Sequence, residues 1–164
     1  MIVVADTSPI NYLILIDQIH LLPQLYGRVL VPPSVWRELN DPHAPGEVRA
    51  WTVAIPDWLS VCPLTSEPDP TLGFLDLGER VAIALAEELH ADYLIVDESL
   101  ARSTATHRKL SVIGTLGVLR SAARLALINL PEALSKLQAT TFFAAPELFR
   151  LLLEEDAQRV RPDE

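Results

Sequence analysis

Short, uninterrupted apolar runs separated by helical stretches constrain this chain more than any other feature. Ile2-Val3-Val4-Ala5, Arg28-Val29-Leu30-Val31, Tyr93-Leu94-Ile95-Val96 and Ser111-Val112-Ile113 lack the in-out alternation of a half-solvated strand. Such runs mark strands covered on both faces, as in a parallel sheet flanked by helices. A further strand is expected near Trp58 to Val61. Between the runs the period changes. Ala82, Leu85, Ala86 and Leu89 recur at three- and four-residue spacing, so a helix is expected from Leu77 to His90. Thr7-Ser8-Pro9 supplies a hydroxyl and a first-turn proline, which predicts a helix from about Pro9. A second helical piece is expected at 17–22, ended by Pro23. The remaining helices are expected over about 35–39, 46–51, 98–107, 116–126, 131–138 and 146–155. Strands alternating with helices imply right-handed βαβ units and a three-layer, doubly wound α/β fold.

At 164 residues the chain suits one domain, read here as 1–155 with a frayed tail at 156–164. Six of the 13 prolines fall between Asp41 and Leu75, which predicts a loop-rich excursion there. Cys62 is the sole cysteine, so neither a disulfide framework nor a cysteine zinc site can form within the chain. That usage fits a reducing, cytoplasmic setting. The opening residues have no basic segment ahead of an apolar one, and Arg120 and Arg124 interrupt the longest apolar stretch. No secretion signal or membrane span is expected.

In an open parallel sheet, ligands gather beyond the carboxyl ends of the strands. Asp6 and Asp97 stand at two such ends, and Glu38 and Glu79 lie early in helices starting from the same edge. Each acid also has a structural reading. Asp6 could hold a turn, and Asp97 could cap the helix that follows it. Asp76 and Glu79 have capping-box spacing, and Glu38 suits a helix N-terminal half. Together, four converging carboxylates repel one another unless they are protonated or share cations. Oxygen-only donors suit Mg²⁺ or Mn²⁺. The four histidines show no ligand spacing, and no glycine-rich phosphate loop is present.

The ordered segments DTSP (6–9), VPPSVWREL (31–39), DLGERVAIALAEELHADYLIVDE (76–98) and VIGTLGVL (112–119) resemble a PIN domain. The nearest likeness is to the bacterial and archaeal PIN-like group related to VapC-type toxins. This resemblance implies strand order 3-2-1-4-5 and a Mg²⁺- or Mn²⁺-dependent endoribonuclease. It assigns metal and catalytic roles to Asp6, Glu38, Glu79 and Asp97, with Ser8 and Thr115 as supporting polar residues. It also implies RNA as substrate, a homodimer and, for a toxin, a small antitoxin protein as partner. The alternative is a PIN-like binding or regulatory module without turnover. Glu79 replaces an Asp common among the toxins. Ser99, beside Glu98, stands where they often carry a further Asp.

Thirteen Lys and Arg against 22 Asp and Glu give a net charge of −9, unfavourable for a nucleic-acid partner on average. The cations are unevenly spread. Ser99 to Pro131 contains Arg102, Arg108, Lys109, Arg120 and Arg124 and no acid. Arg102, Arg108, Lys109 and Arg120 are expected to hold the RNA backbone, against the simpler reading of a solvated helix face. Leu148, Phe149, Leu151, Leu152 and Leu153 cover more than one face of a short helix, so part of it should lack cover within one chain.

Overall fold

The computed structural model describes residues 1–160. The chain runs β1 (Val3–Ala5), α1 (Thr7–Leu15), α2 (Leu21–Tyr26), β2 (Val29–Val31), α3 (Pro33–Leu39), α4 (Gly46–Trp51) and β3 (Leu59–Val61). It continues through α5 (Leu77–Glu88), β4 (Tyr93–Ile95), α6 (Ser99–His107), β5 (Val112–Ile113), α7 (Thr115–Arg124), α8 (Leu130–Gln138) and α9 (Pro146–Val160). All strand pairs are parallel, in the order β3-β2-β1-β4-β5. The doubly wound sheet expected from the apolar runs is present.

The reason for uninterrupted apolar strands is visible in β1. Val3 and Ala5 face one core, with α1, α2, α3, α4, α7, α8 and α9, whereas Val4 faces the other, with α5 and α6. All three are fully buried. Successive strand side chains point to opposite faces, so a strand with helices on both sides needs an apolar residue at every position. β4 repeats this, with Ile95 in the first core and Leu94 and Val96 in the second. Each fully buried Val or Ile contributes roughly 1.5–3 kcal/mol over its exposed state, so the central strands are held on both faces.

Three boundaries differ most from expectation. The 17–22 helix is absent: Asp17 has φ 59° and ends the α1 region, and α2 starts only at Leu21. Pro23 sits in the first turn of α2, where a missing N–H removes no helical bond; it opens that helix rather than closing one. α5 stops at Glu88, with His90 at φ 50° after it. Residues 156–160 of the expected tail are helical, with Asp156 buried and bonded to Arg159; residues 161–164 lie outside the described residues. No described helix is long and apolar enough to cross a membrane. In α9, Phe149 and Leu152 pack inward while Leu148, Leu151 and Leu153 remain exposed.

Candidate active site

Asp6 occupies the single-residue link between β1 and α1. Its N–H still belongs to the sheet, donating to the Ile95 carbonyl at 2.9 Å, and the next residue is already helical. The carboxylate is 6% exposed and makes no side-chain cap to α1, although it sits at the N-cap position. Burial pushes its pKa up to about 7, against a bond from the Thr7 N–H, and the charges of Glu38, Asp76 and Asp97 add to the rise. Among the described residues no cation offsets this charge.

Two acids reach Asp6 from helices. Glu38, in the second turn of α3, accepts from Thr7 Oγ1 at 2.5 Å. Its carboxylate passes over the start of α5, where a Cβ on Gly78 would lie 2.6 Å from Glu38 Oε1. Glu79 is buried in the first turn of α5 and completes the expected capping box. The Glu79 N–H donates to Asp76 Oδ1 at 2.8 Å, and the Asp76 N–H donates to Glu79 Oε1 at 3.3 Å. Burial first, then the bond to and charge of Asp76 and the charge of Asp6, raise Glu79 to about 7. Glu79 therefore satisfies its structural reading and also shares the field of Asp6. Asp76, read from sequence only as a cap, is a fifth member of that field.

Asp97 does not cap the helix after it. Glu98 does so, accepting from the Ala101 N–H at 2.9 Å. Both Asp97 oxygens turn towards Thr115 instead: Oδ1 accepts from its N–H and Oδ2 from its hydroxyl, each at 2.7 Å. Thr115 is fully buried, so this grip is shielded from solvent. Burial raises the Asp97 pKa, while Thr115 and the nearby Arg102 oppose the rise. A Cβ on Gly114 would stand 3.1 Å from Asp97 Oδ1 and 3.3 Å from Arg102 Nη1. Ser8, half-buried in the first turn of α1, makes no hydrogen bond to these acids among the described residues.

Of the four expected RNA contacts, only Arg102 and Arg120 share a groove with Asp97. Arg108 lies just past the opposite end of α6, bonded to Glu87 (2.6 Å) and Asp69 (3.2 Å), and Lys109 follows it in a left-handed turn. Nine helical residues span about 13 Å, so Arg108 and Lys109 do not rim the pocket. Arg120 and Arg124 share Glu155 on α9 at 2.8 and 2.6 Å. The acid-free segment is thus largely neutralised by acids distant in sequence. Thr7, Gly78 and Gly114 went unrecognised in the sequence. Their only signals there are positions beside an acid, in the DLGE turn and in the Gly-Thr turn.

Among the described residues no three carboxylate, imidazole or thiol groups already stand together at single-ion distance. The donor chemistry nevertheless fits a hard divalent cation. It is all oxygen, largely withdrawn from water, and deficient in positive charge around Asp6 and Glu79. Comparison with curated proteins gives no match. A family model described as a PIN domain (DUF3368) matches residues 2–158. PIN domains are nuclease folds that typically bind divalent metal ions. Nearly the whole chain lies inside that match, and its sheet has the strand order the resemblance implied: the chain belongs to the PIN-domain family.

Proposed function

We propose that this chain is a metal-dependent endoribonuclease, with Asp6 and Asp97 as principal ligands for Mg²⁺ or Mn²⁺ and Glu38 and Glu79 completing the site. The observation that carries this reading is the burial of Asp6 at the carboxyl end of β1, which, with the charges of Glu38, Asp76 and Asp97 added, holds its carboxyl up at about 7. When bound, the ion supplies Lewis-acid stabilisation of charge on the scissile phosphate and lowers the pKa of water in its shell. The protein's own residues set the geometry. Thr115 fixes the direction of Asp97 through two bonds, and Thr7 holds Glu38 through one. Ser8 remains available to orient water, and Arg102 offers a guanidinium to a backbone phosphate beside Asp97. The wider reading is a cytoplasmic toxin that acts on RNA as a homodimer and is restrained by a small antitoxin. The exposed face of α9 supports the pairing.

The engagement of both Asp97 oxygens by Thr115 favours a second reading, a PIN-like RNA-binding module without turnover. One experiment separates the two. The chain is incubated with a mixed RNA pool in Mn²⁺, Mg²⁺ or EDTA, and the RNA ends are mapped. Cleavage that requires the metal and disappears in Asp97→Asn, with the thermal transition intact, supports the nuclease. Equal cleavage by wild type and Asp97→Asn rejects the assignment.

A further inference from the structure

An open groove of about 630 Å³ includes Asp97 in its wall, together with Arg102, Arg120, Ser121, Phe142 and Phe143. Its wall sets two guanidiniums and two aromatic rings beside a candidate catalytic acid, a lining that suits a polyanionic strand with unpaired bases. α7 starts at Thr115 beside Asp97, and Arg120 lies five residues along it, about 8 Å away. The groove therefore leads from the acids along α7 towards the segment before α9.

That segment carries two adjacent phenylalanines with opposite fates. Phe142 packs edge-on against Tyr12 (5.2 Å, 84°) and Phe149 (6.4 Å, 89°), and its N–H donates to Thr140 Oγ1 at 3.1 Å. The Tyr12 hydroxyl also bonds Thr141 Oγ1 at 3.0 Å, so the backbone here is tied to α1. Phe143, directly after this anchor, is 88% exposed. Among the described residues no packing contact accounts for this large ring held in water on an anchored backbone. The cations beside it are partly unclaimed. Arg102 has no ion pair among the described residues, and Arg120 is bonded through Nε alone.

We propose that Phe143 is a stacking platform for one unpaired base of an RNA strand that leaves the acid cluster along this groove, with Arg102 and Arg120 against its phosphates. This rests on the ribonuclease reading for the identity of the strand. An aromatic face with flanking arginines is the arrangement that holds single-stranded nucleic acid, because every base offers a π-face once unstacked. A duplex keeps its bases inside and gains nothing from the ring. The shared wall at Asp97 favours a strand continuing from the site over an unrelated protein partner.

The test is fluorescence anisotropy with a labelled 12-nucleotide single-stranded RNA of mixed sequence, in EDTA and low salt. Wild type is compared with Phe143→Ala and Phe143→Tyr, and a 12-base-pair duplex serves as second probe. Loss of one stacked base weakens binding about 5- to 100-fold, so Phe143→Ala should fall by that factor while Phe143→Tyr stays within about twofold. Duplex affinity should not change. No single-strand binding by wild type, equal binding by Phe143→Ala, or an Ala-like loss in Phe143→Tyr overturns the proposal. A halved mass for Phe143→Ala with unchanged RNA affinity also overturns it and assigns the ring to a second copy. Stacking without any Mn²⁺-dependent cleavage supports the groove and rejects the nuclease reading. Metal-dependent cleavage with affinity indifferent to Phe143 does the reverse.

Discussion

The carboxyl edge of the sheet and the junction of α7 with α9 both gather charge, and they resolve it in opposite ways. At the junction, Glu155 accepts from Arg120 and Arg124, and these bonds lower its pKa. At the sheet edge, Asp6 and Glu79 are raised to about 7 because burial and neighbouring acids act on them without a matching cation. The first region is complete within the chain and joins two helices. The second is not balanced by a cation among the described residues, which is what the proposed metal site requires. Perturbed carboxyls at a strand end with unsatisfied charge indicate a site, whereas satisfied pairs indicate structure.

The sharpest way to break this contrast is to remove one unsatisfied charge. Asp6→Asn should reduce metal-dependent RNA cleavage at least about a thousandfold, the scale expected when charge stabilisation is lost at a reacting centre. The same variant should melt at an equal or higher temperature at pH 8, because a desolvated charge is gone. A cleavage rate within tenfold of wild type would place the chemistry elsewhere.

The next effect is on stability against pH. The folded pKa values of Asp6 and Glu79 lie above their unfolded values of 3.8 and 4.5. The native state therefore binds more protons between about pH 4 and pH 7, and this contribution is lost as pH rises through that window. Metal-free stability should decline by a few kcal/mol from pH 5 to pH 8, at most about 1.4 kcal/mol per pH unit for each proton. Mn²⁺ should restore more stability at pH 8 than at pH 5, because it competes with those protons. Denaturant titrations in EDTA and in Mn²⁺ measure both slopes; a metal-free curve rising over this range contradicts the scheme.

A smaller effect tests position without removing a carboxylate. In Gly78→Ala the new methyl meets Glu38 Oε1, the far end of an exposed side chain, which can swing aside from Thr7. Cleavage should fall about tenfold while the thermal transition holds or rises slightly, since alanine favours a helix by about 1 kcal/mol over glycine. The smallest effect belongs to the satisfied region. Glu155→Gln should lower stability by no more than about 1 kcal/mol, because the arginines it releases are half-exposed, and it should leave the Mn²⁺-dependent gain unchanged.

Local features carried much of this architecture in the sequence. The runs at Val3–Ala5 and Tyr93–Ile95 could be read because burial on both faces leaves no polar position. The Asp76–Glu79 box could be read because its two bonds span three residues. Pairings across long separations were not legible. The acid-free run from Ser99 to Pro131 looked cationic, yet Arg108 finds Glu87 21 residues earlier and Arg120 finds Glu155 35 residues later. Asp97 was the expected cap, because Asp is a favoured N-cap residue and Glu is not. Thr115, brought alongside by the β4–β5 pairing, takes Asp97 and leaves the cap to Glu98. Pro23 misled because proline closes a helix in one context and opens it in another.

The one-residue link at Asp6 also sets a difference in tempo. The Asp6 backbone, held between a central strand and the first turn of a helix, changes place only when that ladder opens, on the timescale of local or global unfolding. Glu38, exposed on α3, can reorient by rotamer hops once its bond from Thr7 breaks. An incoming ion would therefore meet one stationary ligand and one that searches, and its capture would be limited by neither. Amide exchange at Asp6 would then follow the slowest opening of the sheet, while the Glu38 side chain turns over whenever its bond from Thr7 opens.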